Sequence, residues 1–486
     1  PARGRGEAPA ASRRGCPGPE LGQLREQLEI RVEEDPTGDC PAPVSSFEEL
    51  GALPEYALAA LREHKIIRPM PIQAQALPLV LSGRDVVGIA QTGSGKTLAF
   101  LLPAVAHIEA QAPLGGREVT PIALVLAPTR ELAVQISEEA DKVLRRSAAG
   151  GHPGGLGAVC VYGGGDKRRQ LDQLRRAAHI VAATPGRLID FVKAGSISLR
   201  RVTYLVLDEA DRMLEYGFQD DVGGISGQIR PDRQVLFFSA TWGSAVQQLA
   251  RGICRPGAGP TRISCGRRQE EGGGGGGEPQ QLARESIDQQ VVVIDHAGDW
   301  EKQAAEKRRL LEEHLRNVLG ASEESKVLVF VSQKGLADEL ARQLQAEGFQ
   351  ADRMHGGQAQ EYRLWVLDEF RKSRLRLLVC TDVLGRGIDI PSVSHVVIHE
   401  MGAIEEYVHR IGRTARGKDA RGHALVFFEY WEKYPEMASQ LIAVLRASKQ
   451  PVPPELQRVA DEVASGKRAA PPRADAWWGA KRARTC

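Results

Sequence analysis

Seven cysteines, at positions 16, 40, 160, 254, 265, 380 and 486, are scattered over the chain without one CxxC pair. An odd, unpaired set of this kind argues against a disulfide framework and a cysteine zinc site, and fits a reducing compartment. Long apolar runs are missing too. None approaches the roughly 20 residues that cross a bilayer, so a soluble chain with no membrane partner is expected. Nor is there an excess of charge of one sign, since 64 Lys and Arg against 62 Asp and Glu leave a net +2. Global charge therefore does not announce a nucleic-acid binder, and any basic surface must be local. The chain also lacks an initiating methionine, beginning at Pro1, which leaves room for residues upstream and for a targeting segment.

What is present fills two or three domains, as a length of 486 residues predicts. Residues 1–44, rich in Pro, Gly, Ala and Arg, are expected to be largely disordered apart from a helical patch near Leu21 to Leu28. From 45 to 266, apolar runs alternate with amphipathic stretches, and the runs are Val86–Ile89, Ala123–Ala127, Ala158–Tyr162, Ile180–Ala183, Tyr204–Leu207, Val235–Phe238 and Thr261–Ser264. Continuous apolar strands separated by helices predict a parallel sheet covered on both faces. A second series occupies 286–447, with Val291–Ile294, Val327–Val331, Leu375–Cys380, His395–Ile398 and Ala424–Phe428 as strands and Glu301–Leu319 as a helix. Between the two lies 267–285, with the unbroken run Gly272 to Gly277, which predicts a flexible tether. About 20 such residues span roughly 25 Å on average. From 448 to 486 a helix is expected from Pro454 to about Ala464, followed by a basic tail around Trp477 and Trp478 that reads equally as a base-stacking arm or a solvated tail.

The stretch Ala90-Gln91-Thr92-Gly93-Ser94-Gly95-Lys96-Thr97 joins the first strand to a helix-forming run. A strand, a glycine-rich turn and a helix N-terminus aim several backbone N–H groups at one point, which suits a polyphosphate. Lys96 is placed to reach the β- and γ-phosphates, and the Thr97 hydroxyl to ligate Mg²⁺. Leu205-Val206-Leu207-Asp208-Glu209-Ala210-Asp211 puts acids at the C-terminal end of another buried strand, the edge at which open α/β sheets bind ligands. Asp208 is expected to hold Mg²⁺, and Glu209 to orient and deprotonate the attacking water. Acids at a strand end also serve as helix caps, which is the plainer reading of the pair in isolation.

With these motifs in order, the chain resembles the DEAD-box ATP-dependent RNA helicases, and the likeness runs from Phe47 to about Ala447. The resemblance implies two tandem RecA-like domains, ATP and Mg²⁺ as cofactors, and RNA as partner. It assigns adenine recognition to Phe47, Arg68 and Gln73, although a buried Phe47 would serve as well as a core aromatic. Phosphate contacts fall to Gln91, Thr92, Gly93, Ser94, Gly95, Lys96 and Thr97. Ser239 and Thr241, in Ser239-Ala240-Thr241, link the ATP site to strand separation. Pro128, Thr129 and Arg130, Gly163 and Gly164, and Thr184, Pro185, Gly186 and Arg187 each follow a predicted strand and resemble RNA-backbone motifs. In the second domain His355, Gly356, Gln360, Arg363, Thr381 and Arg386 are the RNA-facing set, and Gly387 and Asp389 approach the ribose. His409, Arg413 and Arg416 belong to His409-Arg410-Ile411-Gly412-Arg413-Thr414-Ala415-Arg416, whose arginines, three apart, are expected on one helical face, with Arg413 and Arg416 as fingers on the γ-phosphate. Within the family Phe427-Phe428, Leu441 to Leu445 and Pro453 to Leu456 resemble the p68-type branch most.

The expectation is an RNA-stimulated ATPase whose two domains close on ATP and RNA together, open short duplexes and remodel RNA–protein complexes. Contacts to phosphates and 2′-hydroxyls imply little sequence preference and discrimination against DNA. An ATP-gated RNA clamp with slow hydrolysis is the competing reading. The chain is expected to act as an intracellular monomer, in nucleus or cytoplasm or in an organelle, with protein partners in ribonucleoprotein complexes.

Overall fold

The computed structural model describes residues 18–90, 93–114, 119–176, 178–255, 257, 259–266, 286–296, 299–384, 390, 393–415 and 421–468. The expected tether 267–285 and the basic tail from 469 onward lie outside the described residues. The chain divides into two compact units, Pro1–Pro279 and Gln280–Cys486.

The first unit is built on eight strands: β1 Ile30–Glu34, β2 Val86–Ala90, β3 Ala123–Leu126, β4 Ala158–Val161, β5 Ile180–Ala183, β6 Tyr204–Asp208, β7 Gln234–Ser239 and β8 Thr261–Cys265. Their spatial order is β1-β8-β2-β7-β6-β3-β5-β4. All neighbours are parallel except β1, which pairs antiparallel with β8. The strands read as unbroken apolar runs because both faces are covered: Val86, Val125, Val206 and Phe238 pack into one core, and Val87, Leu124, Leu205 and Phe237 into another on the opposite face. Each predicted strand of this unit is found, within a residue or two at its ends.

The N-terminal expectation needs correction. Residues 18–44 are ordered: Gly18–Gln27 is helical, and β1 extends the sheet at its free edge, with Ile30 buried. Arg25 donates to Gln75 Oε1 at 3.0 Å and to the Pro41 carbonyl at 3.0 Å, tying this segment to the helix Pro71–Leu81. The segment has too few apolar residues to form a core of its own. It needs only one buried face, because the rest of its partner surface is supplied by β8 and that helix.

The second unit has six parallel strands, β9 Ile287–Val293, β10 Val327–Phe330, β11 Ala351–Met354, β12 Leu377–Cys380, β13 His395–Ile398 and β14 Gly422–Phe428. The order is β11-β12-β10-β13-β14-β9. Leu328 and Phe330 face one core, Val327 and Val329 the other. The edge strand β11 was not expected, because only Ala351 and Met354 of its four residues are buried. The helix Pro454–Ala464 forms as expected, but it belongs to this unit, since Leu456, Val459 and Ala460 join the core that holds Leu441 and Leu445.

A histidine stack sits at the start of β13 and β14. His395 lies parallel to His423 with ring centroids 4.8 Å apart, and His314 meets it edge-on at 5.4 Å. His395 Nδ1 is 3.0 Å from the Ser394 hydroxyl, and Asp288 faces His423 at 3.3 Å. Burial and the two neighbouring imidazoles lower the His395 pKa from its ordinary 6.5 to about 4. A histidine kept neutral by folding binds its proton more readily when unfolded, so its contribution to stability is present above about pH 6.5 and is lost as the pH falls towards 4. The urea midpoint of the second unit is therefore expected to rise across that window. His395→Gln should flatten the rise, and an unchanged slope would dismiss His395 as its source.

Candidate nucleotide site and nucleic-acid interface

Three strand ends meet at one edge of the first unit. β2, β7 and β6 are neighbours, with Ile89 beside Ser239 and Asp208 beside Phe238. The glycine-rich turn, Ser239 and the acids are thereby set side by side, although 150 residues of sequence separate Ile89 from Ser239. Gly93 and Gly95 have φ of 75° and 88°, in the left-handed region that glycine enters without strain, and the helix Lys96–Glu109 begins immediately after. Its first turn leaves backbone N–H groups without intrahelical partners. Lys96 is buried, its Nζ donating to the Ala90 carbonyl at 3.0 Å, so the turn is closed on itself. Thr97 lies one residue on, in the first helical turn; Gln91 and Thr92 lie outside the described residues.

Gln73 sits against this turn. Its Nε2 donates to the Gly95 carbonyl at 2.9 Å and its Oε1 accepts from the Met70 N–H at 2.9 Å. The amide that was expected to read adenine bidentately here couples the Met70 turn to the phosphate loop. Phe47 is buried in the core beside Leu50 and Leu61, as the plainer reading had it. It also lines a cavity of about 450 Å³, with Ser46, Arg62 and the exposed Arg68.

Asp208 and Glu209 are both 3 % exposed. Glu209 adopts φ 55° and ψ 53°, a left-handed conformation that costs a branched or long residue about 1–3 kcal/mol and collects at functional sites. The same conformation starts the helix Ala210–Glu215 without a side-chain cap from Glu209, which removes capping as the reason for that acid. Asp208 Oδ1 and Glu209 Oε2 are buried with no hydrogen-bond partner. Burial raises the pKa of both carboxyls; the Asp208 charge raises Glu209 further, and Lys96 opposes the rise in each. Unsatisfied carboxylate oxygens beside a phosphate loop fit a hard divalent cation, which takes oxygen ligands. Thr241 Oγ1 donates to Asp211 Oδ2 at 3.1 Å, so Ser239-Ala240-Thr241 is bonded directly to the acidic stretch.

On the other side of β6, the ends of β3, β5 and β4 carry the three loops expected to face RNA. Thr129 caps the helix Arg130–Leu144, accepting from Leu132 N–H at 3.3 Å, and Pro128 precedes it. The Arg130 guanidinium lies against Gly164, where a side chain would collide with it, and Gly163 adjoins. Thr184 and Pro185 start the helix Pro185–Lys193, with Gly186 open on its surface. Arg187, expected as a phosphate contact, is buried instead and donates to the Gly165 carbonyl at 3.2 Å. It fastens one loop to the next.

In the second unit His355 Nε2 is 3.1 Å from Asp338 Oδ1, and its Nδ1 accepts from Gly357 N–H at 3.2 Å, which leaves Gly356 exposed at the turn. Gln360, Arg363 and Thr381 are buried. Arg410, 1 % exposed, makes two 2.8 Å bonds to Asp382 and one of 2.9 Å to the Glu400 carbonyl. The expectation that the arginines share one helical face is wrong. The helix Ile404–Ile411 carries His409 and Arg410 and stops at Gly412; Thr414 then bonds to the Val393 and Ser394 carbonyls, at 2.7 and 3.0 Å, and turns the chain away. Arg413 therefore lies beyond the helix, buried, with Nε on the His409 carbonyl at 3.1 Å. Arg386, Gly387, Asp389 and Arg416 lie outside the described residues.

Comparison with known proteins agrees with this arrangement. The DEAD/DEAH box helicase family matches residues 70–249, and the helicase conserved C-terminal domain matches residues 306–418. The ATP-dependent RNA helicase DBP2 of Candida albicans is 44% identical over 440 residues, 90% of this chain and 72% of that protein. The chain belongs to the DEAD-box RNA helicase family. Another DEAD-box relative, the putative RNA helicase HEL64 of Trypanosoma brucei brucei, is 43% identical over 90% of this chain and 72% of its own length. DBP2 stands in the p68-type branch, the one the C-terminal residues pointed to. Among solved structures, S. cerevisiae Dbp5 bound to RNA and ADP BeF3 has a TM-score of 0.66 at 27% identity and covers 87% of this chain and 100% of that one.

For this DEAD-box chain, sequence reasoning overlooked the residues that hold the loops. Gln170 is the clearest: its amide accepts from Tyr162 N–H at 3.2 Å and donates to the Tyr162 carbonyl at 3.0 Å. A polar residue at the buried position of an otherwise exposed basic helix, four before the buried Leu174, is the signal that would have found it.

Proposed function

We infer that the chain is an ATP-dependent RNA helicase, in which RNA-stimulated ATP hydrolysis drives local opening of short duplexes and remodelling of RNA–protein complexes. The observation that carries the reading is the pair of buried carboxylate oxygens without partners on Asp208 and Glu209, set beside the Lys96 loop. On this reading Lys96 exchanges the Ala90 carbonyl for the phosphates, and the N–H groups around Gly95 and Lys96 hold their oxygens. Thr97 and Asp208 would hold Mg²⁺, which would offset the phosphate charge. Glu209, its pKa raised by burial, takes the proton of the attacking water at Oε2. Gln73 reports the state of the phosphate loop to the Met70 turn, next to the Phe47 and Arg68 cavity proposed for the adenine.

The loops of Thr129, Gly163 and Thr184 in one unit, and of His355 and Thr381 in the other, are assigned to the RNA backbone. ATP and RNA are proposed to raise each other's affinity by linkage, each favouring the arrangement of the chain that binds the other. The working chain is proposed to be an intracellular monomer that meets protein partners on RNA. Among the described residues no helix is long and apolar enough to cross a membrane.

Steady-state ATP hydrolysis should be measured without nucleic acid, with single-stranded RNA and with DNA of the same sequence. RNA alone is expected to stimulate strongly. A rate that RNA leaves unchanged would overturn the reading.

A further inference from the structure

The helix Lys167–Arg176 follows directly on the Gly163–Gly165 loop and has no part in the function set out above. Its sequence, KRRQLDQLRR, buries Gln170 and Leu174, and Leu174 packs on Val159 and Val161 of the edge strand β4. The other face carries Arg168, Arg169, Arg175 and Arg176, all exposed, with Lys167 exposed at the helix start, against only Asp166 and Asp172. Asp166 is committed to capping, accepting from the N–H groups of Arg168 and Arg169 at 2.7 and 3.2 Å. Asp172 meets Arg175 at 3.4 Å in an exposed pair, and Lys167 stands 3.9 Å from Asp190; such pairs contribute little. Arg168, Arg169 and Arg176 have no ion pair among the described residues.

A basic face alone is ordinarily a solvated one. Here it is fixed to the loop assigned to RNA: Gln170 holds both backbone polar groups of Tyr162, and a side chain at Gly165 would collide with the Gln170 amide. Arg168 with Arg175, and Arg169 with Arg176, are seven residues apart on the helix. Two turns separate each pair by about 10 Å along the axis, so the guanidinium groups form a stripe that starts at the loop and runs down the side of β4.

We propose that the exposed face of the helix Lys167–Arg176 is an additional RNA-binding surface, which holds the phosphates of the strand segment running on from the Gly163–Gly165 loop. This rests on the RNA reading of that loop. The contacts are to backbone charge alone, so the surface lengthens the bound RNA without adding sequence preference. Neutralising phosphates releases counterions, and each contact on a single strand adds about 0.7 to the slope of log affinity against log salt.

The test compares the full chain with a variant carrying Arg168→Ala, Arg169→Ala, Arg175→Ala and Arg176→Ala, and with the corresponding fourfold Lys variant. Binding to RNAs of about six and about twenty nucleotides is titrated over a range of salt. Removing four contacts should weaken binding of the long RNA at least tenfold at low salt and lower its salt slope by about 2 to 3. The short RNA should be bound as by the unaltered chain, and the Lys variant should recover most of the loss. Unchanged circular dichroism and unstimulated ATP turnover separate this from misfolding. If the Ala variant binds the long RNA with unaltered affinity and slope, the proposal is overturned while the RNA reading stands. An unaltered chain that binds neither RNA overturns both.

Discussion

Glu209→Gln is expected to lower RNA-stimulated ATP turnover by about 10²- to 10⁴-fold, the usual worth of a positioned general base, while ATP affinity changes little. The amide has the shape of the carboxylate but cannot take a proton. Glu209 suits the task because burial and the Asp208 charge raise its pKa, so its proton affinity is closer to neutrality than that of a solvated glutamate. Single-turnover hydrolysis alongside nucleotide titration checks both halves, and retained turnover would remove Glu209 from the role of base. The backbone gives a second test. Glu209 is held at φ 55°, so Glu209→Gly should relieve about 1 kcal/mol of strain and raise the denaturation midpoint of the first unit, while abolishing activity as thoroughly as the amide. A residue kept where it is strained, desolvated and unpartnered is held there by its chemistry rather than by packing.

Asp382→Ala should destabilise the second unit by about 3 kcal/mol, because it leaves the buried Arg410 guanidinium without its bidentate partner. The loss is placed at the low end for a buried pair because Glu406 remains 3.5 Å from Arg410 Nη2. Urea denaturation of the full chain, resolved into two transitions, should move only that of the second unit. A double variant, Asp382→Leu with Arg410→Met, should recover much of the loss, since it removes the stranded charge along with the bond. If the double variant is as unstable as the single one, the cost lies in something other than the buried charge. Arg410 thus holds its own unit together through Asp382 and the Glu400 carbonyl.

Much of this protein was legible in its sequence for a simple reason: strands buried on both faces must be continuously apolar, and a phosphate loop must have glycine where φ is positive. Runs such as Leu205–Leu207 and the turn at Gly93 and Gly95 therefore announced the two parallel sheets, the edge at which ligands bind and the acids that stand there. The half-buried pieces were not legible. In β1 only Ile30 is fully buried, and in β11 only Ala351 and Met354, which pack into opposite cores, so neither stretch reads as an apolar run and both look like loops until a partner edge is supplied. The sequence likewise could name Gln73, Arg187 and Arg410 as polar residues in recognisable motifs, but not say what they touch. In the fold Gln73 bonds to Gly95, Arg187 to the Gly165 carbonyl and Arg410 to Asp382, over separations of 22, 22 and 28 residues. A buried polar group must find a partner wherever the chain brings one within about 3 Å, and only the tertiary structure decides which one that is.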